Sequence, residues 1–367
     1  MCSRPLTAPD FLLSRAHGSV RTQGSVATFT DPWDASEALK RGTHSMIVGA
    51  LPFDLTDPCA LHVPAGIIRT KGPLEPPAHY RLQQPIEAEI ISDIPPRNEH
   101  LERVRAAVET IRRTPLEKVV LARTMNVSFQ DQVDPLLIAA RLIDYSPDRN
   151  GFIVDLSPAG EGFDGKKLVG SSPEMLVRRI GDQITTYPLA GSAPRSGIHE
   201  DDRLVAKRLK ESIKDLNEHR FVVEHIAAAL QPLCSELSIP KEPEITSTAE
   251  MWHLATPIAG TLKDPRTTAL DVALRLHPTP AICGTPTPIA QDLILQVEID
   301  RGFYSGAVGW CDASGDGEFM VAIRCAETDG KFARAWAGGG IVSNSNPESE
   351  LRETDAKMRT MLRALGL

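Results

Sequence analysis

The most restrictive stretch of the chain lies near its C-terminus, where three strand-like runs at 306–312, 318–327 and 333–337 are separated by the short turns Ser314-Gly-Asp-Gly317 and Asp329-Gly330. Turns this short join antiparallel neighbours and leave no room for the crossovers of a parallel sheet. Further strand signals fall at 25–30, 46–51, 61–70, 118–127, 152–156, 167–170, 175–180 and 184–189. Between them, Leu101, Val104, Val108 and Ile111 recur at helical spacing and stop near Pro115. Leu204, Leu209, Ile213, Leu216, Val222, Ile226 and Leu230 predict one long amphipathic helix, and a shorter helix follows at 269–276. A last helix opens with Asn346 as its cap and Pro347 at its first position, and runs to Leu365-Gly366. Runs of strands with interspersed helices predict an α+β layered fold and argue against a doubly wound parallel sheet.

Composition narrows the function. Forty Lys and Arg against 48 Asp and Glu give a net charge of −8 with no dense basic run, the wrong field for a nucleic-acid or anionic-membrane binder. With 41% hydrophobic and 24% charged residues, disordered and disulfide-scaffold classes are excluded. The six cysteines, Cys2, Cys59, Cys234, Cys283, Cys311 and Cys325, form no C-x-x-C pair and are expected to be buried and reduced. The first twenty residues lack a signal-peptide core and no run of about 18 apolar residues occurs, so a cytoplasmic enzyme acting on a small molecule is expected.

Gly160-Glu-Gly-Phe-Asp-Gly165-Lys-Lys167 nearly fits a phosphate loop, but Lys167 stands where magnesium needs a hydroxyl, and a strand follows where a helix should begin. A glycine-rich hairpin turn is the expectation. Gly338-Gly-Gly340 reads as backbone kept bare for close approach. Asp215 and Glu218 are three residues apart on a helical stretch, and Glu350 and Glu353 repeat the spacing. Such pairs are either solvated helix surface or oxygen ligands for a hard cation such as Mg²⁺.

A set of segments then appears in order: Lys118-Val-Val-Leu-Ala-Arg123, Gly170-Ser-Ser-Pro-Glu174, Pro188-Leu-Ala-Gly-Ser192, Trp252-His-Leu-Ala-Thr256, His277-Pro-Thr-Pro-Ala281, Tyr304-Ser-Gly306, Ala322-Ile-Arg-Cys325, Ala337-Gly-Gly-Gly340 and Arg352-Glu-Thr354. Together they resemble the chorismate-utilising enzymes, relatives of anthranilate synthase component I, and most closely the members that form isochorismate. The resemblance runs from about Asn98 to the C-terminus. It implies one large α+β domain with two antiparallel sheets flanked by helices, in which 1–97 is a β-rich part and 98–367 the catalytic region.

The resemblance also implies roles. Glu218 and Glu353 would bind Mg²⁺, with Asp215 and Glu350 behind them, so that the cation neutralises a dianionic substrate. Water would attack C2 of chorismate with Lys118 as base, while Glu174 protonates the departing C4 hydroxyl. These roles require a neutral lysine and a protonated carboxyl, which a buried site beside other charges can supply. Arg324 and Lys357 would hold carboxylates, Gly191 and Gly338 would offer backbone N–H groups, and Ser192, His253, Thr256 and Tyr304 would line the wall. His253 is equally readable as a core histidine.

Lys118 stands where ammonia-using relatives have glutamine, so water is the expected nucleophile and no glutaminase partner is expected. Ala259 excludes the nucleophilic lysine of aminodeoxychorismate synthases. Ala281, where lyase-competent relatives carry threonine, favours stopping at isochorismate over salicylate synthase, which continues to salicylate and pyruvate. The implied protein is a monomeric isomerase that supplies isochorismate for siderophore, menaquinone or salicylate formation.

Overall fold

The structure, a computed structural model, describes residues 9–76, 80 and 85–367; Cys2 and Pro77 lie outside them. Among the described residues, the helices are α1 (Pro32–Lys40), α2 (Arg97–Arg113), α3 (Pro135–Tyr145), α4 (His199–Glu211), α5 (Ile213–Leu230), α6 (Ala269–Leu276), α7 (Thr287–Val297) and α8 (Pro347–Leu365). Among the described residues, seventeen strands join one hydrogen-bonded network, and Leu189–Pro194, Met251–Ala255 and Glu244–Ser247 form a separate three-stranded sheet. This is the α+β fold of antiparallel sheets flanked by helices.

One ladder organises the network. Strand Lys118–Phe129 pairs antiparallel with Phe332–Val342 from Lys118↔Val342 to Ser128↔Phe332. Its other edge is shared by Gly284–Thr285 at the Lys118 end and by Ala88–Ile94 at the Phe129 end. Strands from the first 97 residues are woven into the same network: Phe11–Arg15 pairs with Gly151–Asp155, and Met46–Leu51 pairs with Ala307–Asp312. Helices α5 and α6 bury Val222, Ile226, Leu270 and Leu276 in one apolar cluster, while α3 and α8 bury Ile138, Ile143, Met358 and Met361 in another. The described cysteines are free and buried, as expected. No helix among the described residues is long and apolar enough to cross a membrane.

Three expected elements are divided, each by a nameable cause. The long helix is interrupted at Ser212, whose extended backbone (φ −74°, ψ 111°) ends α4 and whose hydroxyl caps α5 by accepting from Asp215 N–H. The run 184–189 splits into Gln183–Tyr187 and Leu189–Pro194, which enter different sheets across Pro188, a residue with no N–H to continue a ladder. The run 318–327 splits into Gly317–Val321 and Cys325–Thr328 around Arg324, whose φ is +52°. The glycine-rich segment 160–167 is a turn between the antiparallel strands Gly151–Asp155 and Lys167–Gly170, so it is not a phosphate loop. Sequence periodicity missed α3 because eight of its eleven residues are buried and no polar face alternates with them; Asp134 as cap and Pro135 at its first position were the available signal.

Arg123 ties the central strand to its surroundings. Its guanidinium is 1% exposed and bonds Asp93 Oδ2 at 3.1 Å and Asp355 Oδ1 at 2.8 Å, joining strand Ala88–Ile94 to α8. Replacing it leaves the partly buried Asp93 without its cation and Asp355 with only the exposed Arg97. Arg123→Met is therefore expected to cost about 3 kcal/mol, read as a lower urea midpoint with an unchanged slope.

Candidate active site

The end of the central ladder opens onto a cleft. Glu174, Gly191, Ser192, Glu218, His253, Ala281, Tyr304, Arg324, Gly338 and Lys357, all singled out from the sequence, line it. Lys118, Asp215, Thr256, Glu350 and Glu353 are not among the lining residues. Lys118 is fully buried behind Gly340, with Nζ 3.0 Å from Glu218 Oε1, close enough for an ion pair although outside hydrogen-bond geometry. Glu353 reaches the wall by accepting from Ser192 Oγ at 2.9 Å and pairing with Lys357 Nζ at 2.5 Å. Thr256, expected as a wall residue, is buried beside the cleft rather than among its lining residues, and its hydroxyl meets His219 Nε2 at 2.7 Å.

Both acidic pairs face inward. Asp215 and Glu218 lie in the first turns of α5, which the Ser212 cap sets, and Glu350 and Glu353 occupy the corresponding part of α8. Glu350 is 1% exposed and accepts from Lys214 Nζ at 2.8 Å, while its Oε2 has no partner. Burial, and then the Glu353 charge, pushes the Glu350 carboxyl up, with Lys214 pulling the other way. Burial also raises Asp215; the Ser212 hydroxyl opposes this and Glu218 adds to it. For Glu353, burial favours the neutral form, but Lys357, Lys214 and the Ser192 hydroxyl together hold it below the usual range. The solvated-surface reading of these acids therefore does not describe the fold.

Among the described residues, no three His, Cys, Asp or Glu side chains stand together as a ready-made metal cluster. The acids instead meet lysines: Glu218 meets Lys118, Glu350 meets Lys214, and Glu353 meets Lys357. The donor set nonetheless fits a hard divalent cation. It is all carboxylate oxygen, four acids face three lysines, and a buried Glu350 oxygen is unpartnered.

The remaining wall suits an anionic ring. Glu174 is 3% exposed and accepts from Leu189 N–H at 3.4 Å. Burial pushes its carboxyl up to about 7, against the pull of that N–H and of Lys118, Arg324 and Lys357. Arg324 points Nη2 into the interior without a partner, and the left-handed backbone that presents it is the break in the third expected strand. Tyr304 stacks on Trp336 with ring centres 5.6 Å apart, and burial raises its hydroxyl to about 12, so it remains a donor at neutral pH. His253 lines the cleft with Nε2 unpartnered, and burial followed by Arg324 and Lys357 holds it neutral.

Sequence reasoning missed His219, Lys214 and Trp336. His219 is buried, its Nδ1 meets Ala190 O at 3.1 Å, and burial lowers it to about 4. Its position beside Glu218 was the only available signal.

Residues 73–366 match the family model described as chorismate binding enzyme. A Mycobacterium tuberculosis protein provisionally assigned as isochorismate synthase MenF is 42% identical over 370 residues, spanning 98% of this chain and 96% of its own length. Isochorismate synthase DhbC of Bacillus subtilis is 41% identical over 338 residues, spanning 90% of this chain and 85% of its own. A crystal structure from Bacillus anthracis, provisionally assigned as a 2,3-dihydroxybenzoate-specific isochorismate synthase, superposes with a TM-score of 0.91 at 36% identity, covering 100% of this chain and 98% of that one.

The geometry makes one position diagnostic. A methyl at Gly340 would lie 2.3 Å from Glu218 Oε1 and 2.9 Å from Lys118 Cε, so what the bare backbone admits is this pair as well as the cleft. Gly340→Ala should lower turnover by about 10²-fold through displacement of both side chains, with far-UV circular dichroism unchanged.

Proposed function

The chain belongs to the chorismate-binding enzymes, and we infer that it is an isochorismate synthase, an isomerase that converts chorismate to isochorismate. The observation that carries this reading is Glu174: a carboxyl that burial pushes up to about 7, in a cleft whose cations Arg324 and Lys357 suit a dicarboxylate substrate.

In the proposed reaction, Lys118 takes a proton from a water that adds to C2 of the ring, the double bonds shift, and the C4 hydroxyl leaves as water with a proton from Glu174. One water enters and one departs, so the product is an isomer. Arg324 and Lys357 hold the substrate carboxylates, and the Tyr304 hydroxyl and Ser192 complete the polar wall. Glu218 and Glu353 would hold Mg²⁺, with Asp215 and Glu350 behind them. Bound there, the cation would neutralise and orient the substrate's ring carboxylate. Ala281 offers no hydroxyl near the product, which supports release of isochorismate before pyruvate is eliminated.

Incubation with chorismate and Mg²⁺ followed by chromatography tests the reading: isochorismate is expected, and stoichiometric pyruvate with salicylate would replace it with salicylate synthase. The sign of the pH response follows from Glu174. Burial raises its pKa, so the acid form is present below about pH 7 and is lost above it. The rate constant kcat should therefore fall toward tenfold per pH unit on the alkaline side, and Glu174→Gln should abolish that limb with a loss of at least about 10²-fold.

Metal binding is tested without turnover. Mg²⁺ should raise the melting temperature of the wild type in a concentration-dependent way, and Glu353→Gln should abolish the rise. An equal rise in both proteins would remove Glu353 from the ligand set.

A further inference from the structure

The four consecutive residues Leu189 to Ser192 run alongside the acidic machinery, and the first and last of them bond to it directly. Leu189 N–H donates to Glu174 Oε1 at 3.4 Å. Ala190 O meets His219 Nδ1 at 3.1 Å, beside Glu218 on α5. Gly191, at φ +77°, has no Cβ, and one placed there would lie 3.0 Å from both Cβ and the carbonyl oxygen of Asp215. Ser192 Oγ donates to Glu353 Oε1 at 2.9 Å.

The same four residues contain a β-bulge. Leu189 is opposite Ala255 and Ser192 is opposite His253, so three steps along one strand match two along the other. A bulge re-aims side chains and weakens local pairing, and its register must be held by something outside the ladder. The His219 side chain is 3% exposed and bonded at both nitrogens, to Ala190 O and to Thr256 Oγ1. A carbonyl only accepts, so Nδ1 carries the proton and Nε2 accepts from the Thr256 hydroxyl. His219 thus clamps the bulge, through Ala190, to the end of strand Met251–Ala255, where Thr256 follows.

We propose that His219 is a positioning residue for the isomerisation: its Nδ1–H bond to Ala190 O fixes the bulge register in which Leu189 N–H meets Glu174 while Ser192 meets Glu353. The imidazole acts through the strand and does not touch the substrate. This rests on the roles given to Glu174 and Glu353 in the proposed function.

Three substitutions separate the two bonds. Asparagine places an amide N–H near the position of Nδ1 and keeps the Ala190 bond, glutamine places an oxygen near Nε2 and keeps the Thr256 bond, and phenylalanine keeps neither. His219→Phe should lower kcat about 10²-fold and speed amide exchange in the peptide spanning 189–192, with protection elsewhere retained. His219→Asn should recover at least about tenfold in kcat and restore slow exchange in that peptide, and His219→Gln should recover neither. Near-normal turnover in His219→Phe, a loss with unchanged exchange at 189–192, or recovery by glutamine equal to that by asparagine would each overturn the proposal. Glu174→Gln, measured alongside, keeps the two readings apart: full activity in that variant removes the catalytic role of the acid, while the exchange data still report whether the histidine holds the bulge.

Discussion

Charge compensation in a closed space is the constraint on which the rest of this structure depends. Asp215, Glu218, Glu350 and Glu353 converge from two helices onto one end of a β-ladder, where burial and neighbouring carboxylates oppose the ionisation of Asp215 and Glu350. Lys118, Lys214 and Lys357 each stand within 3.0 Å of one of these acids. Unpaired, buried carboxylates would shift toward their neutral forms or force the helices apart. Paired with lysines, they remain a concentrated array of oxygen donors, four carboxyls against three amines, which is the electrostatic setting for a divalent cation and an anionic substrate.

The backbone delivers this array through a few departures from regularity. The Ser212 break restarts the helix at Ile213, so that Asp215 and Glu218 fall in its first turns. The bulge before Ser192 turns a hydroxyl toward Glu353 and an N–H toward Glu174. The left-handed conformation of Arg324 interrupts a strand and leaves the guanidinium facing the cleft. Each costs local regularity and sits where a side chain must be aimed, the pattern expected when the surrounding fold over-determines a functional position.

These departures also mark the limits of what was legible in sequence. Strands Met46–Leu51, Lys167–Gly170 and Met175–Ile180 and helix α6 have the bounds read from the sequence, because their signals are local: apolar runs closed by turns, or helical periodicity with a cap. The split of the long helix was not legible, since the apolar spacing continues across Ser212 and only the hydroxyl's bond to Asp215 N–H ends one helix and starts the next. Arg123 belonged to a recognisable segment, but its bridge between Asp93 and Asp355 joins residues more than 200 positions apart. His219 gave almost no signal because its partners are a carbonyl and a hydroxyl, neither of which leaves a mark at fixed spacing.

By itself the sequence determined the antiparallel α+β class, the exclusion of a phosphate loop and the pairing of acids at three-residue spacing, because hairpin turns, glycine context and helical periodicity are properties of neighbouring residues. Only the tertiary structure decided that both acidic pairs face inward, that the Thr256 hydroxyl meets His219, and that Gly340 is bare to admit Glu218 and Lys118. Whether a carboxylate on a helix is solvated or buried depends on what packs against that face, and here the packing partners are strands and a second helix contributed from distant parts of the chain.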